Sequence, residues 1–172
     1  PGLKLESISG GTSGIGGYPL HFEADYTPTF RYFQETTAQN NIDQTASIIV
    51  NQPFQRLGPS ATFDFLETEN PFIEAGNRSA KTIYIGGLSA IYELGGKTDL
   101  EMGLHGEVRN FEGLIDTKEW KNMDWINYGV TEKTEMALGG GLGYTEVGGN
   151  SNFITEDLQG RIRYVPTAKL EF

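Results

Sequence analysis

The sequence predicts an all-β fold, an antiparallel up-and-down meander of strands closed as a transmembrane β-barrel. Three observations lead there. The first is the stretch Asp99 to Glu112, where Leu100, Met102, Leu104, Gly106 and Val108 alternate with Asp99, Glu101, Gly103, His105, Glu107 and Arg109. Period-two alternation puts one set on each face of a strand, so one face is apolar and the other almost wholly charged. The second is that such segments are joined by connections that alternate long and short. The third is a repeat in which a tyrosine is followed five residues later by a base beside each tight turn.

Composition bounds the problem. The chain has 172 residues, a formal net charge of −10, 23 Gly, 12% aromatics and no Cys. That is one domain's worth of chain, taken as 1–172. Pro1-Gly2-Leu3 does not resemble a natural start, and truncation at both ends is the expectation, with the visible hairpins part of a larger barrel. No apolar run approaches the ~18–20 residues of a spanning helix. A polar average is still compatible with a spanning barrel, because half of its strand residues face a polar lumen. Absence of Cys excludes a disulfide framework and thiol chemistry, and the acidic balance argues against nucleic acid as a partner.

Alternation and turn signals give about eleven strand-like segments in order. Leu3 to Glu6 is followed by a Gly- and Ser-rich loop, Ser7 to Gly17. Leu20 to Tyr26 sets Leu20, Phe22, Ala24 and Tyr26 against His21, Glu23 and Asp25, and a tight Thr27-Pro28-Thr29 turn is expected to return the chain through Phe30 to Gln34. A polar loop, Glu35 to Gln44, leads to Ala46 to Gln52, a turn near Pro53, and Leu57 to Phe65. A loop at Glu67 to Lys81 precedes Thr82 to Leu94, and Gly95-Gly96 turns the chain into the Asp99 stretch. Phe111 to Asp124 is read as a fourth loop. Trp125 to Val130, the Thr131-Glu132-Lys133 turn and Glu135 to Thr145 follow. A fifth loop ends near Ile154. Leu158, Ile162 and Tyr164 then oppose Gln159, Arg161 and Arg163, before Pro166-Thr167 turns into Lys169 to Phe172. Long loops at one end and tight turns at the other are the asymmetry of transmembrane barrels.

Tyr26 with Arg31, Tyr92 with Lys97, Tyr128 with Lys133 and Tyr164 with Lys169 make the repeat. Each Tyr falls on the apolar face near a turn, where a ring at a membrane–water interface belongs. These four are the expected interfacial aromatics. A recurrent hairpin that favours Tyr is the plainer reading.

These features together resemble a bacterial outer-membrane β-barrel, and more narrowly the barrels associated with exopolysaccharide or capsule systems. The stretches that carry the likeness are Asp25 to Ala46, Glu74 to Asn77, Tyr92 to Gly103 and Asp124 to Tyr144. The resemblance implies an outer-membrane location and offers no catalytic motif.

Two clusters invite an enzyme reading, His21-Glu23-Asp25 and His105-Glu107-Arg109, since residues two apart on a strand share a face. No nucleophilic Ser accompanies them, and both lie on the face that must be polar in any case. The expectation is therefore no enzyme, no cofactor and no metal. Glu101, His105, Glu107, Arg109, Gln159, Arg161 and Arg163 are expected to line a lumen as a ladder of opposed charges. The run Gly139-Gly140-Gly141 lacks a phosphate-loop pattern and reads as room for bending or close approach. Asp116 with Glu119, or Glu156 with Asp157, lack the spacing of a calcium loop. The expected function is a porin-like channel for small hydrophilic solutes or an export conduit for polysaccharide, with outer-membrane lipid as the constant partner. A structural or adhesive barrel with a plugged lumen, and a soluble or filament-forming β-protein, are the alternatives.

Overall fold

The computed structural model describes residues 3–9, 18–32, 41–71, 78–148 and 151–165. They form ten strands and, among the described residues, no helix: β1 (Leu3–Ser9), β2 (Leu20–Arg31), β3 (Asn41–Asn51), β4 (Leu57–Pro71), β5 (Arg78–Gly95), β6 (Thr98–Phe111), β7 (Thr117–Asn122), β8 (Asp124–Thr131), β9 (Thr134–Val147) and β10 (Ser151–Tyr164). All belong to one antiparallel sheet in chain order. β7 and β8 share one position in it. Leu104 pairs with Asn122 and Glu101 with Trp125, while Lys121 pairs with Gly143 and Asp124 with Gly140, so the register does not slip across Met123. The sheet therefore has nine strand positions, with β1 and β10 at its edges.

Register carries the alternation from strand to strand. Tyr26, Ala46, Phe65, Tyr84 and Val108 lie in one cross-strand row, and Asp25, Ser47, Asp64, Ile85 and Glu107 in the next, on the opposite face. Among the described residues no second layer covers either face. Ile83, 8% exposed, is the one buried hydrophobic side chain among the described residues. The accessible surface is 12483 Å², against about 8,300 Å² expected for a globular chain of this mass.

The structure corrects the sequence reading in three places. Thr27-Pro28-Thr29 is not a turn: β2 runs straight through it, with Pro28 opposite Gln44. Pro28 is tolerated because β1 accompanies β2 only as far as Tyr26, which makes this stretch of β2 an edge among the described residues. Two expected segments thus fuse. Lys169 to Phe172 lie outside the described residues. The expected loop from Phe111 to Asp124 contains β7, whose sequence TKEWKN has Trp120 as its one large apolar residue and so shows no apolar period. Strict long–short alternation also fails. The end bearing the tight turns 96–97 and 132–133 also bears connections 52–56 and 10–19, and the far end bears 32–40, 72–77, 112–116 and 148–150. Strands β4 and β5 extend into what reads as loop, to Pro71 and from Arg78.

The spacing of Tyr92, Tyr128 and Tyr164, 36 residues apart, has a physical counterpart. Gly129, one past Tyr128, donates its N–H to the Lys97 carbonyl at 2.8 Å. Val165, one past Tyr164, donates to the Lys133 carbonyl at 2.9 Å. Glu93, one past Tyr92, donates to the Arg56 carbonyl at 2.8 Å. Tyr92, Tyr128 and Tyr164 each precede the residue that ties their strand to the turn before it, and Tyr26, inside β2, does not share this contact.

Candidate functional site

The site is the sheet itself, seen as two faces. On the apolar face a band runs from Leu57 to Phe65 on β4, Tyr84 to Tyr92 on β5, Leu100 to Val108 on β6 and Met136 to Tyr144 on β9. Each stretch is nine residues long. Gln44, Glu67, Thr82 and Asn110 bound it in one cross-strand row at the far end, and Thr98 and Thr134 bound it at the turn end. Almost all of the large hydrophobic side chains exposed on the strands lie on this face, Leu104 and Leu138 in mid-band among them.

Aromatic rings gather at both borders of the band. Tyr92, Tyr128 and Tyr164 stand near the turn end; Phe65, Tyr84, Trp120 and Tyr144 stand toward the far end. Tyr26 belongs to the second group. It sits within β2 rather than beside a turn, and its hydroxyl donates to Gln44 Oε1 at 2.9 Å. Gln44 in turn donates to Glu67 Oε2 at 2.8 Å.

The band is interrupted at Met123. There Asn122 and Asp124 lie on the apolar face, but their side chains turn back to the backbone. Asp124 Oδ1 accepts the Gly103 N–H at 3.3 Å, and Asn122 Oδ1 accepts the Leu142 N–H at 2.8 Å. They stand in for ladder acceptors where the chain between β7 and β8 departs from strand geometry.

The polar face is knit across strands. The seven side chains expected to share a face do so: Glu101, His105, Glu107 and Arg109 on β6, and Gln159, Arg161 and Arg163 on β10, in register through Trp125 and Gly139. Arg161 bonds Glu101 Oε2 at 3.2 Å and Asn127 Oδ1 at 2.9 Å, across β8 and β9. Its guanidinium stands 4.7 Å from the centroid of Trp125. Arg109 binds Glu107 on its own strand at 2.9 Å. No hydrogen bond or ion pair among the described residues joins His105, Gln159 or Arg163 to this set.

Sequence reasoning missed Trp125, Asn127, Lys121 and Asp157. Lys121 and Asp157 pair at 2.6 Å over β9. The signal for all four was the glycine run. A Cβ on Gly139 would stand 2.5 Å from the Trp125 ring, and one on Gly143 would stand 2.3 Å from Thr155 Oγ1. The missing side chains make a trough along β9 into which the neighbouring strands reach. At the other end of the sheet Arg31 binds Asp43 at 2.8 Å, and Thr68 donates to the same buried Asp43 at 2.6 Å.

The alternative chemistries find little support in the geometry. No group of three metal-ligating side chains occurs among the described residues. Asp116 accepts the Phe111 N–H at 2.9 Å and closes the 112–116 turn. Glu156 and Asp157 point to opposite faces, so they do not converge on an ion. His105 and Glu107 share a face, but the carboxylate is bound to Arg109. Comparison with protein-family models, curated proteins and solved structures finds no match to the chain.

Proposed function

We propose that the sheet is the wall of an outer-membrane β-barrel, its apolar face against lipid and its polar face lining a porin-like conduit for small hydrophilic solutes. The observation that carries this reading is the uncovered apolar band. Water would meet a contiguous patch spanning several strands, where a soluble monomer rarely exposes more than a few hundred Å². Lipid would meet what it requires: nine-residue stretches, close to the ~9–11 residues a tilted strand needs to span. On β5 and on β7–β8 the bordering aromatics, Tyr84 and Tyr92, Trp120 and Tyr128, are eight residues apart. That is roughly 26 Å along a strand and roughly 20 Å across it at the usual barrel tilt. The reading also requires that the outer edges of β1 and β10 be paired, because an open edge is not sustained in hydrocarbon.

The polar face suits a wet lumen. Its best-connected charges stay wet, and Arg161 and Glu101 keep 43% and 37% of their side-chain surfaces exposed. Two measurements test the proposal. The chain should require detergent or lipid to stay monodisperse and should migrate faster on gels before heating than after; a monodisperse, detergent-free monomer would remove the membrane reading. Reconstituted in planar bilayers it should give discrete conductance steps. Heat-modifiable migration without current above leak would favour a plugged, structural barrel.

A further inference from the structure

Resting on the channel reading, we propose that the conduit favours cations and rejects anions of similar size. On the polar face of β2 to β10 eleven acidic side chains face six basic ones among the described residues, and of the bases only Lys81 and Arg163 have no ion pair. Arg31 is bound to Asp43, Arg109 to Glu107, Lys121 to Asp157 and Arg161 to Glu101. Asp25, Asp64 and Asp99 make no ion pair among the described residues.

Two arrangements sharpen this. Asp25 and Asp64 lie in one row either side of Ser47, and both border a cavity of about 260 Å³ that runs from β2 to Ile83 and Ile85 on β5. At the turn end, Glu93 and Asp99 are direct cross-strand partners on the same face. Like charges opposite each other repel. Two carboxylates in that position are tolerable where mobile cations share the space between them. A wall with surplus fixed negative charge concentrates cations and excludes anions, the principle behind acidic rings in cation channels. The substrate class is then small cationic or neutral hydrophilic solutes.

The experiment is the reversal potential of the full chain in planar bilayers under a KCl gradient. K⁺ should cross several times more readily than Cl⁻ at about 0.1 M salt. The preference should collapse toward unity near 1 M, where the screening length falls from about 10 Å to about 3 Å. The D64N/D99N double variant should at least halve the permeability ratio while keeping conductance and heat-modifiable migration. An anion preference, a ratio indifferent to salt, or a ratio unchanged in the double variant overturns the selectivity and leaves the channel standing. Absence of any conductance in the parent chain overturns the channel reading and the selectivity with it.

Discussion

The two faces of this sheet share one backbone and differ in almost every other respect. The polar face is the more enclosed. Ile83, Asp43, Thr68 and Asn127, the side chains that reach burial, all belong to it. The apolar face is the more exposed, and apart from lateral contacts such as the Phe65–Tyr84 ring pair at 5.4 Å its side chains touch only their own neighbours. A water-soluble sheet reverses this order, hiding its apolar face and wetting its polar one. On the proposed reading, the difference arises because the apolar side of these strands is matched to a solvent other than water. Charge follows the same division, since cross-strand ion pairs knit the polar face while the band is free of charged side chains except at the Met123 interruption, at Glu156 and at its border, where Lys118 stands opposite Val108 and pairs with Glu146.

The largest effect should come from charging the band. Leu104 stands at its middle on β6, with Leu88 and Asn122 as cross-strand partners. Leu104→Arg should cost about 2–4 kcal/mol, the penalty for Arg at a bilayer midplane on the lipid face of a barrel. Ser89→Arg, exposed on the opposite face, should stay within about 0.5 kcal/mol. Urea titration of the chain refolded into lipid vesicles reads both. Equal small costs at the two positions would abolish the distinction between the faces, because an exposed Leu in water accepts Arg readily.

Next in size are changes where one face intrudes on the other. Asn122→Ala removes the acceptor for the Leu142 N–H and should cost about 1–3 kcal/mol if that donor is left facing hydrocarbon. Gly139→Ala and Gly140→Ala compare adjacent residues on opposite faces. At Gly139 the new methyl would meet the Trp125 ring at 2.5 Å, and at Gly140 its nearest neighbour would be 3.8 Å away. The first should cost about 1–3 kcal/mol by overpacking. The second should be neutral or slightly stabilising, because it only removes backbone freedom from the unfolded chain. The same vesicle titration ranks all three, and a cost at Gly140 equal to that at Gly139 would mean that the trough is not confined to the polar face.

What the sequence disclosed depended on whether a residue's role is local. The alternation on β6 and β9 is a property of consecutive residues, so their faces and the seven polar-face residues on β6 and β10 were legible. Three members of the Tyr–turn repeat, Tyr92, Tyr128 and Tyr164, stand beside turns and recur with one backbone contact, while Tyr26 lies within β2. Pro28 misled because a proline is punctuation in a central strand and harmless at an edge, and whether β2 has a neighbour at that point is set by where β1 stops. β7 was missed because Trp120 is its one apolar side chain, flanked on the same face by Lys118 and Asn122, so no apolar period shows. Trp125 and Asn127 were missed because their partner, Arg161, lies 34 residues or more along the chain. Only register brings them over the bare backbone of Gly139.

The smallest effect should come from the polar face's most connected side chain. Arg161 bonds Glu101 and Asn127 and stacks on Trp125, and a Lys can keep the charge but cannot serve three partners from one planar fork. In a dry interior, undoing such a cluster would be among the costliest changes in the molecule. Here both ends of the ion pair are more than a third exposed, so water and salt screen it, and exposed pairs are worth under about 1 kcal/mol. Arg161→Lys combined with Glu101→Gln in a double-mutant cycle should give a coupling energy below that limit and well below the cost of Leu104→Arg. A coupling as large as the Leu104→Arg penalty would mean that Arg161 is sealed from water. The polar face would then be a packed core, and no solute could pass along it.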